Sequence, residues 1–311
     1  MILVAGSANL DFVVRADHIP SPGETVLGRD FKTFPGGKGA NQAVACSRAG
    51  GVPTHMLLAL GNDAFATPLE DSLQSAGVKL LTVRDATQPT GTAFICLSEA
   101  GENAITVAPG ANASLRPDHL PPLDGYTHLL LQLETPLDTV TAYATAARAA
   151  GVAVVLNAAP ARVLPAELLS QVDILIVNEG ELSVVAQHQG SMAECLARLS
   201  VPTVVVTLGS HGCIAQQQGA HHLQASFTIQ PIDTTGAGDT FCGALAAALS
   251  QGLGLDAALR YASAAGALAC TQLGAQSSIP TAAAVTALLA QQPDNNTPAR
   301  LDALRALAGL A

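Results

Sequence analysis

Short, nearly continuous apolar runs recur along this chain, each followed by a stretch with helical spacing. The runs at 2–6, 128–133, 153–157, 174–177 and 203–208 lack the alternation of a half-exposed strand. They fit parallel strands covered on both faces. The segments at 39–49, 68–76, 137–150, 179–187 and 193–199 read as intervening helices. Three Ala-rich helices follow, near 238–250, 256–271 and 281–290. Such alternation over 311 residues predicts an α/β fold with a doubly wound central sheet and helices on both faces. Aromatic residues are only 3% and tryptophan is absent, so the core must be packed from Ala, Leu, Val and Ile.

Two segments break the pattern. Residues 11–35 and 91–108 alternate apolar and polar positions, punctuated by Gly23 and the turn "EAGEN". They read as antiparallel hairpins, joined into a small β-sheet that serves as a lid. Two independent surface hairpins fit the pattern equally well. The expected organisation is one domain over 1–311 with these lid segments inserted. Residues 291–300 read as a loop before a short C-terminal helix.

The net charge of −10 argues against nucleic acid and anionic membranes as partners, so any phosphate must be held by local groups. No apolar run reaches the roughly 18 residues of a membrane span. The opening "MILVAGSANLD" is too short and lacks the basic residues of a signal peptide. Six cysteines, at 46, 96, 195, 213, 242 and 270, form no CxxC. The expectation is free thiols in a reducing cytoplasm. Cys242, three residues after Asp239, is a candidate for thiol sensitivity.

Neither common nucleotide loop is present. Lys38 is followed by Gly39 rather than Ser or Thr, and "GAGDTF" fails the last position of a dinucleotide fingerprint. The stretch "DTTGAGD" at 233–239 instead places glycines ahead of a helix whose first turn holds Asp239. Unpaired N–H groups and the positive end of the helix dipole make an anion hole there. Asp239 could accept a proton from an attacking hydroxyl, or could simply complement the dipole. In "FPGGKGANQ" glycines again lead into a helix, with Lys38 and Asn41 facing the opening. Asn9 and Asp11 follow the carboxyl end of the first strand, where open α/β sheets bind ligands.

With these residues assembled, the chain resembles the ribokinase/PfkB-type carbohydrate kinase family nearly end to end. The resemblance rests on "GSANLD", "GGKGANQAVA" (36–45), "QLETP" (132–136), "LNAAPAR" (156–162), "NEGE" (178–181), "TLGSHG" (207–212), "DTTGAGDTFCGAL" (233–245) and "GAQSS" (274–278). It implies ATP-dependent phosphorylation of a sugar hydroxyl, with D-ribose to D-ribose 5-phosphate leading. Deoxyribose, fructose or a nucleoside are alternative acceptors, and a non-catalytic sugar- or nucleotide-binding regulator is a further alternative. It implies Asp239 as general base and Gly236, Ala237 and Gly238 as the anion hole. Asn9, Asp11, Gly37, Lys38, Asn41 and Glu134 match sugar contacts. Asn178, Thr207, Gly209, Gly212, Gly238 and Ser263 match the ATP pocket, and Glu181 matches the group that organises Mg²⁺ through water. An activating K⁺ site maps to Asp233, Thr235, Ala269, Gln272, Gly274 and Ser278, mostly through main-chain carbonyls. The lid sheet implies a homodimer.

Overall fold

The computed structural model of the chain describes residues 1–100 and 102–310. The first part contains β1 (Ile2–Ala5), β2 (Asn9–Ala16), β3 (Arg29–Gly36), α1 (Lys38–Val44), β4 (Thr54–Gly61), α2 (Ala66–Ser75), β5 (Lys79–Asp85), β6 (Gly91–Ser98) and β7 (Asn103–Ala108). Next come β8 (His128–Leu131), α3 (Leu137–Ala149), β9 (Ala153–Asn157), α4 (Ala166–Gln171), β10 (Ile174–Asn178), α5 (Glu179–Val185), α6 (Met192–Leu196) and β11 (Thr203–Thr207). The chain ends with β12 (Gly212–Gln217), β13 (Ala220–Ala225), α7 (Ala237–Ser250), α8 (Leu255–Ala269), α9 (Ala282–Gln291) and α10 (Pro298–Ala308).

The main sheet has the order β13-β12-β11-β10-β9-β8-β1-β4-β5. From β11 to β5 all neighbours are parallel, and β12 and β13 add an antiparallel hairpin at one edge. All five apolar runs picked out from the sequence lie in this parallel part. Four further strands were not among them. β4 and β5 flank helix α2, and their apolar runs are bounded by charged or turn residues. β12 and β13 carry Gln216, Gln217, His221 and His222, because an edge hairpin has a solvated side that needs no apolar run.

Helices cover both faces and divide the core in two. One apolar layer joins Val4, Leu58 and Val205 of the sheet to α1, α2, α7, α8 and α9. The other joins Leu3, Leu131 and Val206 to α3, α4, α5, α6 and α10. Alternate residues of a strand point to opposite faces, so adjacent members of the same run enter different layers. Alanine dominates the α7–α8 side: Ala244, Leu245, Ala246, Ala247, Ala262, Ala264 and Ala265 are all buried. Small residues let helices approach closely. A Cβ on Gly243 of α7 would lie 2.5 Å from the carbonyl oxygen of Gln42 in α1, and α1 runs on into a π-helical turn, Ala45–Ala49. This contact seats the start of α7 against α1.

The remaining strands form a separate sheet in the order β3-β2-β6-β7. β2 pairs antiparallel with β3 and β6 with β7, while β2 and β6 join the two hairpins in parallel. Phe12, Phe31 and Phe94 stack on one side of it, with Phe65 edge-on to Phe12. Among the described residues no helix is long and apolar enough to cross a membrane.

Candidate active site

Hydrogen bonds join the carboxyl ends of β1, β8, β9 and β10 to the starts of α1 and α7. Asp239, in the first turn of α7, has both carboxylate oxygens held. Asn41 Nδ2 donates to Oδ2 at 2.9 Å, and Gln42 Nε2 donates to Oδ1 at 3.0 Å. Beneath them lies a buried amide chain. Gln42 also donates to Asn157 Oδ1 at 3.0 Å, Gln132 Nε2 donates to Gln42 Oε1 at 2.6 Å, and Asn157 Nδ2 donates to the Ile176 carbonyl. Each amide fixes the orientation of the next, so Asp239 is held by a network rooted in β9, β10 and the residue that follows β8. Sequence reasoning assigned Asn41 but not Gln42, Gln132 or Asn157, although all three fall inside quoted motifs. Nothing local sets them apart from exposed amides: Gln132 and Asn157 stand at the ends of apolar runs, and Gln42 lies within a helix.

Two amides in this region stand next to the small sheet. Asn112 Nδ2 donates to Asn9 Oδ1 at 2.7 Å, and Asn112 Oδ1 accepts from the Ala8 amide at 3.0 Å. Asn112, also missed from the sequence, thereby fixes the Asn9 side chain. Glu134 Oε2 accepts from Ser7 Oγ at 2.5 Å and from the Lys38 amide at 3.1 Å. It ties the end of β1 to the start of α1. The strand-to-helix turn is crowded: a Cβ on Gly36 would lie 2.1 Å from Asp11 Oδ2, and Gly37 has φ +89° with Asn9 N directly behind it. Only glycine meets both demands.

The charges of this pocket act on one another. Burial, reinforced by the Glu134 and Asp239 carboxylates, pushes Asp11 up to about 7. Burial alone would lower Lys38, but Asp239, Glu134 and Glu181 outweigh it and hold the ammonium above its ordinary value. Burial raises Glu181, against the Asn178 amide and Lys38, which favour its charged form. Cys242 is fully buried, and burial together with Asp239 and Glu181 pushes its thiol far up. A buried thiol without thiolate character is unreactive. This corrects the expectation of thiol sensitivity at Cys242.

Across α7 from the Asp239 pocket lies a cavity of about 780 Å³. Asn178, Thr207, Gly209, Gly212, Gly238 and Ser263, the six residues expected around a nucleotide, all line it. So do Phe227, Phe241 and Arg300, which sequence reasoning did not include. Arg300 reaches it from α10, with Nη2 donating to the Ser226 carbonyl at 2.7 Å. Gly236 has φ +74° and caps α7, and no side chain caps that helix. Among the described residues the amides of Gly238 and Asp239 meet no acceptor, and a Cβ on Gly238 would meet nothing within 4 Å. The helix start is therefore open, with free donors. Asn178 and Glu181 form a reciprocal capping box on α5, each accepting from the other's amide at 2.8 Å.

Behind Gly236 sits a loop from the end of α8. Asp233 Oδ1 accepts from the Thr235 amide and hydroxyl, and Oδ2 accepts from the Gly274 amide at 2.9 Å. Burial raises Asp233, but these hydrogen bonds outweigh it and hold the carboxyl below its ordinary value. Among the described residues the carbonyls of Thr235, Ala269, Gln272 and Gly274 accept no hydrogen bond. The Ser278 hydroxyl turns back onto the Ala275 carbonyl.

A ligand cavity over the carboxyl ends of a doubly wound parallel sheet, with an open helix start beside a held carboxylate, defines an α/β enzyme built to handle small anionic and polyhydroxy ligands. Comparison with known proteins narrows this. The profile described as pfkB family carbohydrate kinase matches residues 1–282. The chain is 38% identical over 292 residues to a ribokinase of Haemophilus influenzae, covering 90% of this chain and 95% of that protein. It is 38% identical to a ribokinase of Bacillus subtilis over 293 residues, 93% of this chain and 99% of that one. Among solved structures it is similar to a ribokinase of Arabidopsis thaliana complexed with ribose and ATP. That match has a TM-score of 0.85 and 34% identity, and covers 93% of this chain and 98% of the other. The chain belongs to the pfkB family of carbohydrate kinases.

Proposed function

We propose that this chain transfers the γ-phosphoryl group of ATP to the 5-hydroxyl of D-ribose. The observation that carries the reading is the position of Asp239. Its carboxylate is fixed on the sugar side by Asn41 and Gln42, while its own amide and that of Gly238 open toward the cavity lined by the nucleotide residues. An acceptor hydroxyl at Asp239 and a phosphate at the helix start would be adjacent, as in-line transfer requires. The close likeness to ribokinases, one of them solved with ribose and ATP, supports ribose as the acceptor.

In this reading Asp239 takes the proton of the attacking hydroxyl. The amides of Gly238 and Asp239, with Gly236 and Ala237 shaping the turn, receive the charge of the transferring group, and the Lys38 ammonium adds to it. Asn9, Asp11, Asn41 and Glu134, with Gly36 and Gly37 keeping the backbone close, hold the sugar. The buried Asn41 Oδ1 has no partner among the described residues, which supports a hydroxyl donor from the ligand. Thr207, Gly209, Gly212, Ser263 and Asn178 form the wall against ATP.

Two ions fit the residues present. Among the described residues no three His, Cys, Asp or Glu side chains converge as a metal cage. Glu181 with one carboxylate oxygen in its capping bond suits Mg²⁺ held through water and the phosphates. When bound, Mg²⁺ neutralises phosphate charge. The Asp233 carboxylate and the free carbonyls of Thr235, Ala269, Gln272 and Gly274 suit K⁺, a hard cation, and Ser278 completes the loop. Equal rates in KCl and NaCl would remove the K⁺ assignment. Six free thiols support a reducing, cytoplasmic setting. The exposed small sheet supports its roles as lid and homodimer contact, within a single domain.

The test is a coupled ADP-release assay over ribose, deoxyribose, fructose and nucleosides. The highest kcat/KM is expected for ribose; preference for another acceptor would overturn ribose, and no turnover with any would overturn the kinase reading.

A further inference from the structure

A second cavity, of about 430 Å³, shares no lining residue with the nucleotide cavity. It opens between α1 with its π-helical turn, α2, strand β3 and the loop after α8. Phe34, Val44 and Ala275 give it apolar walls, and Ser72 stands on its α2 side. Its size falls within the range of small-molecule sites, which runs from about 300 to 1,000 Å³.

Two polar groups in it lack partners. Gln276 is 6% exposed. Its Oε1 accepts from Ser72 Oγ at 2.6 Å, but its Nε2 is buried and meets no acceptor among the described residues. A buried donor left unmade is destabilising and calls for an acceptor from outside the protein. Arg48 lines the same cavity, and among the described residues no carboxylate pairs with it. Arg48 is exposed at the mouth of the cavity, so its guanidinium can turn toward a ligand there. A guanidinium and an unused amide N–H beside apolar walls form a donor set that suits a phosphate carried on a polyol.

We infer that this cavity binds a small phosphorylated polyol, with Arg48 on the phosphate and Gln276 Nε2 donating to a ligand oxygen. Such a ligand would touch both sides of the catalytic region. Phe34 pairs across the strands with Asp11, and Ala275 packs behind Gly236, with its Cα 3.0 Å from where a Cβ on that glycine would be.

The test is calorimetric titration of ribose 5-phosphate into enzyme already saturated with ribose and a non-hydrolysable ATP analogue. Saturable binding of one further equivalent is expected. Arg48→Ala and Gln276→Leu should each weaken it at least tenfold while leaving turnover without ribose 5-phosphate within about twofold. If Gln276→Leu fails to fold by circular dichroism, Gln276→Glu replaces it, and its added negative charge must weaken binding as well. No residual binding, or binding indifferent to both positions, overturns the inference. The preceding titrations of ribose and of the ATP analogue report on the proposed kinase function separately. If they fail while an Arg48-dependent site for ribose 5-phosphate persists, only the kinase reading falls.

Discussion

At the scale of single residues, two carboxylates of one pocket are given opposite tasks by their surroundings. Asp239 accepts hydrogen bonds from Asn41 and Gln42, donors that orient it as a carboxylate. Asp239→Asn keeps the shape but loses the base, and kcat should fall by about 10²- to 10⁴-fold with unchanged circular dichroism. A kcat within tenfold of the parent would refute the assignment. Asp11 is buried among like charges and pushed up to about 7, against 3.8 for a free carboxyl. Below pH 3.8 it is neutral in both folded and unfolded chains. Between 3.8 and 7 the unfolded chain ionises while the folded one resists, so this group's contribution to stability is lost as pH rises. Asp11→Asn should therefore raise Tm by a few degrees at pH 8, with the gain shrinking toward pH 4.5, while KM for ribose rises. A gain of the same size at every pH would show that charge burial is not its cause. Arg300→Ala should raise KM for ATP several-fold and leave KM for ribose in place; equal effects on both would assign Arg300 to folding alone.

At the scale of elements, what the sequence made legible follows from what burial demands. Parallel strands buried on both faces must be apolar throughout, so β1, β8, β9, β10 and β11 were readable as runs. The hairpin β12–β13 was not, because its edge position tolerates glutamine and histidine. The glycine-led helix starts were readable from the motifs, as were Asp239, Lys38 and Glu134. Gln42, Gln132, Asn112 and Asn157 were not, since a buried amide has no local signature and its partners lie up to 197 residues away. The same long-range contact explains how α7 is aimed. Gly243 lets α7 rest on α1, with Gln42 O and the Ala45 side chain filling the space a Cβ would need. Gly243→Ala should push the helices apart, destabilise the fold by about 1–3 kcal/mol in denaturant titration, and lower kcat by moving Asp239 away from Gln42. A stable variant with the parent's kcat would mean that this contact does not set the position of the base.

At the scale of the whole molecule, the small sheet is the part whose surface is not accounted for by one chain. Strand β7 is an edge strand exposed along all six residues. Ile105 and Val107 on it are 55% and 41% exposed. By register, Ile105 stands opposite Ile95, and Val107 stands opposite Ala93, which in turn pairs with Asp11. Residues paired this way share a face, so this apolar surface continues from Asp11 and the proposed sugar pocket outward. An uncovered apolar edge invites pairing with another chain, and a second copy offers the same surface in return. Light scattering at working concentration should give twice the mass of the 31.4 kDa chain. Ile105→Asp should shift the protein to monomer, since a charge on the shared face would be buried without a partner. The monomer should keep its far-ultraviolet circular dichroism and lose affinity for ribose, because the face proposed to close on the sugar is then no longer braced. A parent protein that stays monomeric at all concentrations would remove the dimer, and an Ile105→Asp dimer would move the contact to another face.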